Sequence, residues 1–388
     1  MKFKFTWIIL LICFTVEAQS LASENLAHLY DPTDEIEVEW LMVKQSGKIT
    51  VNYAITSTSN SASDEMYLME WEKRESLSQR QGKTIQSDSM LLSSGGVRRG
   101  ELAVAYTNDP WILFLKITQI TTSKTWSFPF LIEKNYPVNG FVSQGDEKLF
   151  NPYLKIGQAY TFNGPTEKTQ LYVYRYTQDF TSAYPPFSKN TGPADPLLLP
   201  DSSFTIANGS KLALSREGLY LVQADTMAAE GYSFRVSSGS FPKYTRIQDL
   251  VEPLVFICTK DEFSKLQQAN GDKVAFDQVI MGITRDKDRA KRFMKSYYSR
   301  VELANKFFTS YKEGWKSDRG MIYIIFGLPD EIRKTSQNEI WYYKDSRTKF
   351  VFIKKGSVYD PDYYTLMRDD RFTQLWYNTI DLWRKSRF

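Results

Sequence analysis

Hydrophobic periodicity changes once along this chain, from two to about 3.6 near residue 243, and that switch limits the folds open to it. Upstream, apolar and polar residues alternate in short runs at 36–41, 48–53, 66–71, 102–106, 112–120 and 125–132, separated by polar turns. Strands at this spacing predict an antiparallel β-sandwich over about residues 30–136. A second β-rich module is expected over 137–242, with strands at 159–162, 171–176, 203–206 and 218–222. Aromatic residues make up 15% of the chain, with 24 Tyr and 25 Phe, which favours sheet. At 388 residues the chain is too long for a single core. Residues 19–35 are polar and read as a loosely tied leader.

From 243 to 388 the pattern becomes that of an α+β domain. Thr259-Lys260-Asp261-Glu262 is a capping box, predicting a helix that stops near Asn270-Gly271. Between 286 and 311, Phe293, Tyr297, Val301, Ala304, Phe308 and Tyr311 recur at helical spacing and mark the main helix. A three-stranded antiparallel meander is expected from 321–326, 339–343 and 350–353, with a final helix over 369–383. The fold class is therefore multidomain and mainly β: two antiparallel β-sandwich-like modules followed by an α+β C-terminal domain.

The most densely specified stretch is Gly314-Trp315-Lys316-Ser317-Asp318-Arg319-Gly320, followed by an apolar run and Gly327-Leu328-Pro329-Asp330-Glu331. Gly314 is expected to end the preceding helix in the left-handed conformation. Trp315 should bury its ring, while Ser317 and Asp318 fold back onto backbone N–H groups. Gly320 would admit a strand at 321–326, Gly327 and Pro329 would close it, and Asp330 would cap the next element. This stretch resembles the signature of the GWxTD-domain family, found in envelope proteins of Bacteroidetes and their relatives. Trp315 and Asp318 match, and Ser317 supplies the hydroxyl where the family has Thr. The likeness continues through Arg319, Gly320 and the Gly-x-Pro-Asp-Glu turn to the runs at 339–343 and 350–353. The resemblance implies an exported envelope protein with β-rich modules ahead of the signature domain.

Residues 1–18 read as a secretory signal, with Lys2 and Lys4 before an apolar core and Val16-Glu17-Ala18 as the cleavage pattern. The apolar run is too short to span a bilayer. Lipidation at Cys13 is the alternative processing route. The expected location is periplasmic or at the outer membrane.

The inventory of reactive side chains is small. His28 is the only histidine and Cys258 the only cysteine beyond the signal, which argues against Ser/His/Asp and Cys/His catalysis and a His/Cys zinc site. No cofactor or metal is expected. The acid pairs Asp330/Glu331, Asp360/Asp362 and Asp369/Asp370 lie in turns or at helix starts, where carboxylates cap N–H groups. A carboxylate-dependent glycoside hydrolase is thus the one enzyme alternative, and a non-enzyme is expected. A glycan-binding β-sandwich is the other alternative, with Trp71, Trp111 or Trp126 as platforms.

Two surfaces are candidates for partners. The Pro- and Ser-rich stretch 181–200 is expected to be a lip carrying Tyr184 and Phe187. The polar face of the main helix carries Lys291, Arg292 and Lys295. From 243 onward there are 28 Lys and Arg against 20 Asp and Glu, a net of +8, whereas residues 19–242 carry −5. A basic domain on an exported chain points to an acidic partner or to anionic lipid headgroups, and not to nucleic acid. The order helix, Gly-x-Pro turn, Trp-Tyr-Tyr strand and Phe-Val-Phe strand also resembles the small lipoprotein accessory of the β-barrel assembly machine. Together these readings lead to the expectation of a non-catalytic scaffold or accessory subunit in an outer-membrane protein assembly or secretion complex.

Overall fold

The computed structural model describes residues 24–58, 64–190 and 198–387. Residues 1–18 with Cys13, expected above to be a secretory signal, and part of the 181–200 stretch lie outside the described residues.

The alternating runs of the N-terminal third build a two-sheet sandwich. Its strands are β1 (Ile36–Gln45), β2 (Lys48–Ser57), β3 (Glu65–Arg74), β4 (Lys83–Leu92), β5 (Val97–Ala105), β6 (Trp111–Gln119) and β7 (Thr125–Ile132). One sheet runs β1-β2-β5 and the other β4-β3-β6-β7, with every pairing antiparallel. The chain crosses between sheets after β2, β4 and β5, the Greek-key arrangement of β-sandwiches. Ile49, Val51, Tyr67, Trp71, Leu113, Leu115 and Trp126 fill the space between the sheets. β4 carries few apolar residues because it is an exposed edge strand, with only Met90 and Leu92 buried.

The second module comprises β8 (Phe141–Gln144), β9 (Glu147–Lys148), β10 (Tyr153–Lys155), β11 (Ala159–Asn163), β12 (Gln170–Tyr176), β13 (Ser202–Ala207), β14 (Lys211–Ala213), β15 (Gly218–Gln223) and β16 (Tyr232–Ser237). A five-stranded sheet, β10-β16-β15-β12-β13, faces a four-stranded one, β14-β11-β8-β9. Only the β10–β16 pairing within these sheets is parallel.

The C-terminal part opens with α1 (Ile247–Val251), α2 (Lys260–Gln268), α3 (Lys273–Thr284) and α4 (Lys287–Phe308). The capping box at Thr259 and Glu262 is formed in both directions. α3 is a helix that the periodicity does not announce. Next come α5 (Asp318–Phe326), β17 (Glu331–Lys334), β18 (Asn338–Tyr343), β19 (Thr348–Lys354), β20 (Tyr364–Leu366) and α6 (Thr373–Arg384).

Two expectations are corrected here. The run 321–326 is helical, not a strand: Ser317 caps it, Asp318 occupies its first turn and Gly327 stops it at φ +84°. Residues 320–325 are all buried, so this run carries no amphipathic period to mark it as helix. The meander is consequently four-stranded, β17-β18-β19-β20, and α5 packs against it.

The leader is also not loose where it is described. Leu26 and Tyr30 are buried in the largest core cluster, together with Leu77, Ile112 and Phe114 of the first sandwich and Phe308, Trp315 and Trp341 of the C-terminal part. The Leu26 N–H donates to the Ile332 carbonyl at 2.9 Å, and Asn25 bonds the backbone of both Asp330 and Ile332. An apolar cluster distinct from the sandwich interior therefore joins the outer face of β6 to the C-terminal domain.

Candidate functional site

Thr309 follows α4 as its C-cap; its hydroxyl donates back to the Asn305 carbonyl at 2.6 Å and accepts the Gly314 N–H at 3.0 Å. The returning chain is pressed against the helix it has just left. A Cβ on Gly314 would lie 2.0 Å from the Ala304 carbonyl oxygen, and one on Gly320 would lie 1.9 Å from the Gly314 carbonyl oxygen. Gly314 is not in the left-handed conformation expected of a helix stop. Its place, like that of Gly320, is set by backbone packing on backbone.

From this point every charged or aromatic side chain of the signature reaches another segment, while Ser317 bonds within the signature itself. Trp315 is 2% exposed. Its backbone N–H donates to Asn305 Oδ1 at 3.2 Å, and its indole N–H donates to Tyr244 Oη at 3.0 Å in the linker from the second sandwich. Lys316 Nζ meets Asp179 at 2.7 Å, Glu252 at 3.3 Å and Glu313 at 3.5 Å. Burial disfavours its charge, yet Glu313, Asp179 and Glu252 together hold its pKa above the usual lysine value. Ser317 Oγ donates to the Gly314 carbonyl at 2.7 Å and accepts the Gly320 N–H at 2.9 Å. Asp318 accepts the Leu366 N–H of β20 at 2.7 Å and pairs with Arg368 at 2.6 Å. Arg319 donates to Tyr30 Oη at 3.1 Å and to the Asp362 carbonyl at 2.8 Å, and its guanidinium lies 4.5 Å from the Tyr364 ring centroid. The Gly327 carbonyl accepts the Tyr343 hydroxyl at 2.8 Å. Pro329 is buried in the turn before β17. Asp330 caps no helix; its carboxylate accepts the Lys344 N–H at 2.8 Å and secures the end of the β18–β19 hairpin.

Behind Arg319 the three modules surround a cleft of about 440 Å³. Its walls come from β1, from the segment around Tyr136 and Phe141, from the end of α4 at Lys306–Ser310, and from residues 358–362. A buried charge network forms one wall. Glu339, 0% exposed, accepts from Trp341 Nε1 at 2.7 Å and Tyr30 Oη at 3.2 Å, and pairs with Lys334 at 3.2 Å and Arg319 at 3.4 Å. Burial opposes its ionisation, but Lys334 and Arg319 outweigh it and keep the carboxyl below its ordinary value. The two acids of the 360–362 turn are driven apart. Burial, reinforced by the neighbouring Asp362 charge, pushes Asp360 up to about 6. The crowded wall also disfavours the Asp362 charge, but Lys354 at 3.0 Å, with Lys334 and Arg319 beyond, brings it down to about 2.

The remaining candidates are distributed elsewhere. Lys291, Arg292 and Lys295 are exposed on α4, toward the end remote from the cleft. Tyr184 and Phe187 lie on a strap that leaves the second sandwich and crosses the signature. The Tyr184 carbonyl accepts from Arg368 at 3.0 Å, the Ala183 N–H donates to the Lys316 carbonyl at 3.0 Å, and Phe187 packs on Tyr377 at 5.4 Å between centroids. Trp71, Trp111 and Trp126 are core residues, which removes them as glycan platforms. Half-buried Trp40, Tyr136, Phe141 and Phe307 line the cleft instead. His28 is held by the Ser127 carbonyl at 2.9 Å, and burial lowers its pKa. Burial, helped by Glu262, pushes the Cys258 thiol up to about 12. Among the described residues no group of three His, Cys, Asp or Glu side chains is placed to hold a metal ion, and no helix is long and apolar enough to cross a membrane.

Tyr30, Lys334, Glu339 and Lys354 escape a reading of the sequence alone. Glu339 does carry a signal, because it shares its strand face with Trp341 and Tyr343, where a charge needs buried partners.

Comparison with curated proteins finds no match. Some solved structures are similar over parts of the chain. β-Glucosidase 3B from Thermotoga neapolitana in complex with α-D-glucose is 12% identical over 26% of this chain and 16% of its own, with a TM-score of 0.18. CsgH of R. palustris is 12% identical over 24% of this chain and 90% of its own, at 0.17. Red sea bream transglutaminase is 9% identical over 52% and 31%, at 0.21. Likeness this slight carries no functional argument. The family comparison is specific: the GWxTD domain matches residues 218–385, from β15 through α6. That span includes the two strands, β15 and β16, that join the second sandwich to the helical part, where Arg235 pairs with Glu313 at 2.6 Å. The chain therefore carries a GWxTD domain, over residues 218–385.

Proposed function

We propose that this protein is a non-catalytic, exported envelope scaffold or accessory subunit, acting in an outer-membrane protein assembly or secretion complex. One observation carries the reading: most side chains of the signature are engaged in holding distant segments of the chain together. Trp315 reaches the linker at Tyr244, Lys316 reaches Asp179 of the second module, Asp318 holds β20 and Arg319 reaches Tyr30 of the N-terminal segment. A motif used in this way stiffens the molecule, which suits a part that presents surfaces to partners. The single histidine and Cys258 are likewise occupied in packing, consistent with a non-enzymatic role. Export rests on the character of residues 1–18. The test is a gently crosslinked pull-down of the tagged protein from its native envelope, with partners identified by mass spectrometry. Stoichiometric recovery of barrel-assembly or secretion components supports the proposal, and recovery of the chain alone sinks it.

A second reading, glycan binding, is favoured by the cleft, whose size and half-buried aromatic rings suit a saccharide. A polysaccharide panel decides it: this reading requires measurable affinity that Trp40→Ala removes.

A further inference from the structure

We propose that the outer end of the helical layer, centred on the first turns of α4, is a docking face for an anionic membrane surface. Arg285, Lys287, Arg289, Lys291, Arg292 and Lys295 crowd the start of this helix, and all six are exposed. Two acids interleave with them, and one of these, Asp286, is engaged as the helix N-cap. Nearby Lys273 and Lys385 are paired with Asp277 and Asp381. None of the six forms such a pair with a carboxylate among the described residues.

Their spacing adds a second argument. Lys287, Lys291 and Lys295 stand four residues apart, so they form one stripe of like charge, an arrangement that weakens a helix. A helix face that is merely solvated tends to alternate sign and gain from its neighbours. An unpaired repulsive stripe is relieved when a polyanion covers it.

The face also stands apart from the rest of the molecule. α4 has 22 residues, so it is about 33 Å long, and its far end, at Lys306 and Phe307, lines the cleft. The end of α6 closes against the basic pole, where Ser386 Oγ donates to the Arg289 carbonyl at 3.1 Å and brings exposed Arg387 alongside. Exposed apolar side chains flank the charges, Met281 one turn before Arg285 and Leu382 one turn before Ser386.

This composition distinguishes a bilayer from a protein partner. Protein interface cores are depleted in Lys and built around aromatic anchors. Here the charge is Lys-rich, and the one aromatic side chain between 285 and 295, Phe293, is fully buried. Dispersed cations with a few apolar side chains suit headgroup phosphates, which need no pocket. The inference goes beyond the scaffold reading and does not depend on it.

The full chain should be sedimented with vesicles of phosphatidylcholine alone and with about 30 mol % phosphatidylglycerol. Binding is expected only to the anionic vesicles, and it should vanish in high salt as the screening length falls from about 10 Å at 0.1 M to about 3 Å at 1 M. The combined substitution Lys291→Gln, Arg292→Gln and Lys295→Gln should weaken binding by about 100-fold, since each cation near such a surface contributes about fivefold. Its unfolding temperature should match or exceed that of the native protein, because the like-charge stripe is gone. Equal binding to neutral vesicles, no vesicle binding, or anionic binding untouched by the triple substitution would each overturn the proposal. The scaffold reading is decided separately by envelope crosslinking, so the two can fail independently.

Discussion

Gly320 shows how much one absent side chain can determine. A Cβ there would lie 1.9 Å from the carbonyl oxygen of Gly314, and Gly314 is itself pressed onto Ala304, so neither backbone can retreat. Gly320→Ala is expected to destabilise the protein by about 3 kcal/mol or more, read from denaturant unfolding. Gly282 of α3 is the control: a Cβ there meets nothing within 4 Å, and Gly282→Ala should stabilise by about 0.5–1 kcal/mol. Asp360 gives a pH signature. Its folded carboxyl releases its proton at about 6, while the ordinary value is 3.8. The native state therefore holds the extra proton between these values, and the contribution of Asp360 to stability falls as pH rises from 3.8 to about 6. Asp360→Asn should be more stable than the native protein at neutral pH, on the order of 1–3 kcal/mol, with the difference disappearing on acidification below about pH 4. Thermal unfolding at several pH values measures both.

At the scale of elements, the central object is α5. Its capping serine and first-turn aspartate do different work: Ser317 closes the helix on itself, while Asp318 fastens it to β20 and Arg368. Arg368 in turn holds the strap through the Tyr184 carbonyl. Asp318→Ala leaves the buried guanidinium of Arg368 without its carboxylate and the Leu366 N–H without its acceptor. The expected cost is about 3–5 kcal/mol, with faster amide exchange at Leu366 and new protease cleavage in the strap near Tyr184. Ser317→Ala, the loss of a cap alone, should cost about 1 kcal/mol and leave the strap protected.

At the scale of the whole molecule, Tyr30 joins what the chain order separates. Its ring packs against Phe308 at 4.8 Å and Trp341 at 5.7 Å, its hydroxyl lies between Arg319 and Glu339, and its carbonyl accepts from Tyr323 at 3.0 Å. Because one apolar cluster joins the outer face of the first sandwich, this segment and the C-terminal domain, heat should unfold them in one cooperative transition. Tyr30→Ala should cost about 3–5 kcal/mol and split the calorimetric trace in two as the first sandwich uncouples.

The features legible in residue order alone are local ones. Period-two alternation marks most strands, the capping box marks α2, and the density of special residues around Trp315 marks the signature turn, because each depends on neighbours only a few residues away. The run 321–326 reads as a strand because a helix buried all round carries no amphipathic period, and β4 goes unmarked because an exposed edge strand has little apolar pattern. Tertiary structure alone decides the rest. Tyr30 and Glu339 are 309 positions apart, and Asp179 and Lys316 are 137 apart. The cleft, the strap and the charge network depend on such pairings, which short-range sequence patterns do not encode: a buried carboxylate is tolerable only where distant segments bring it its cations.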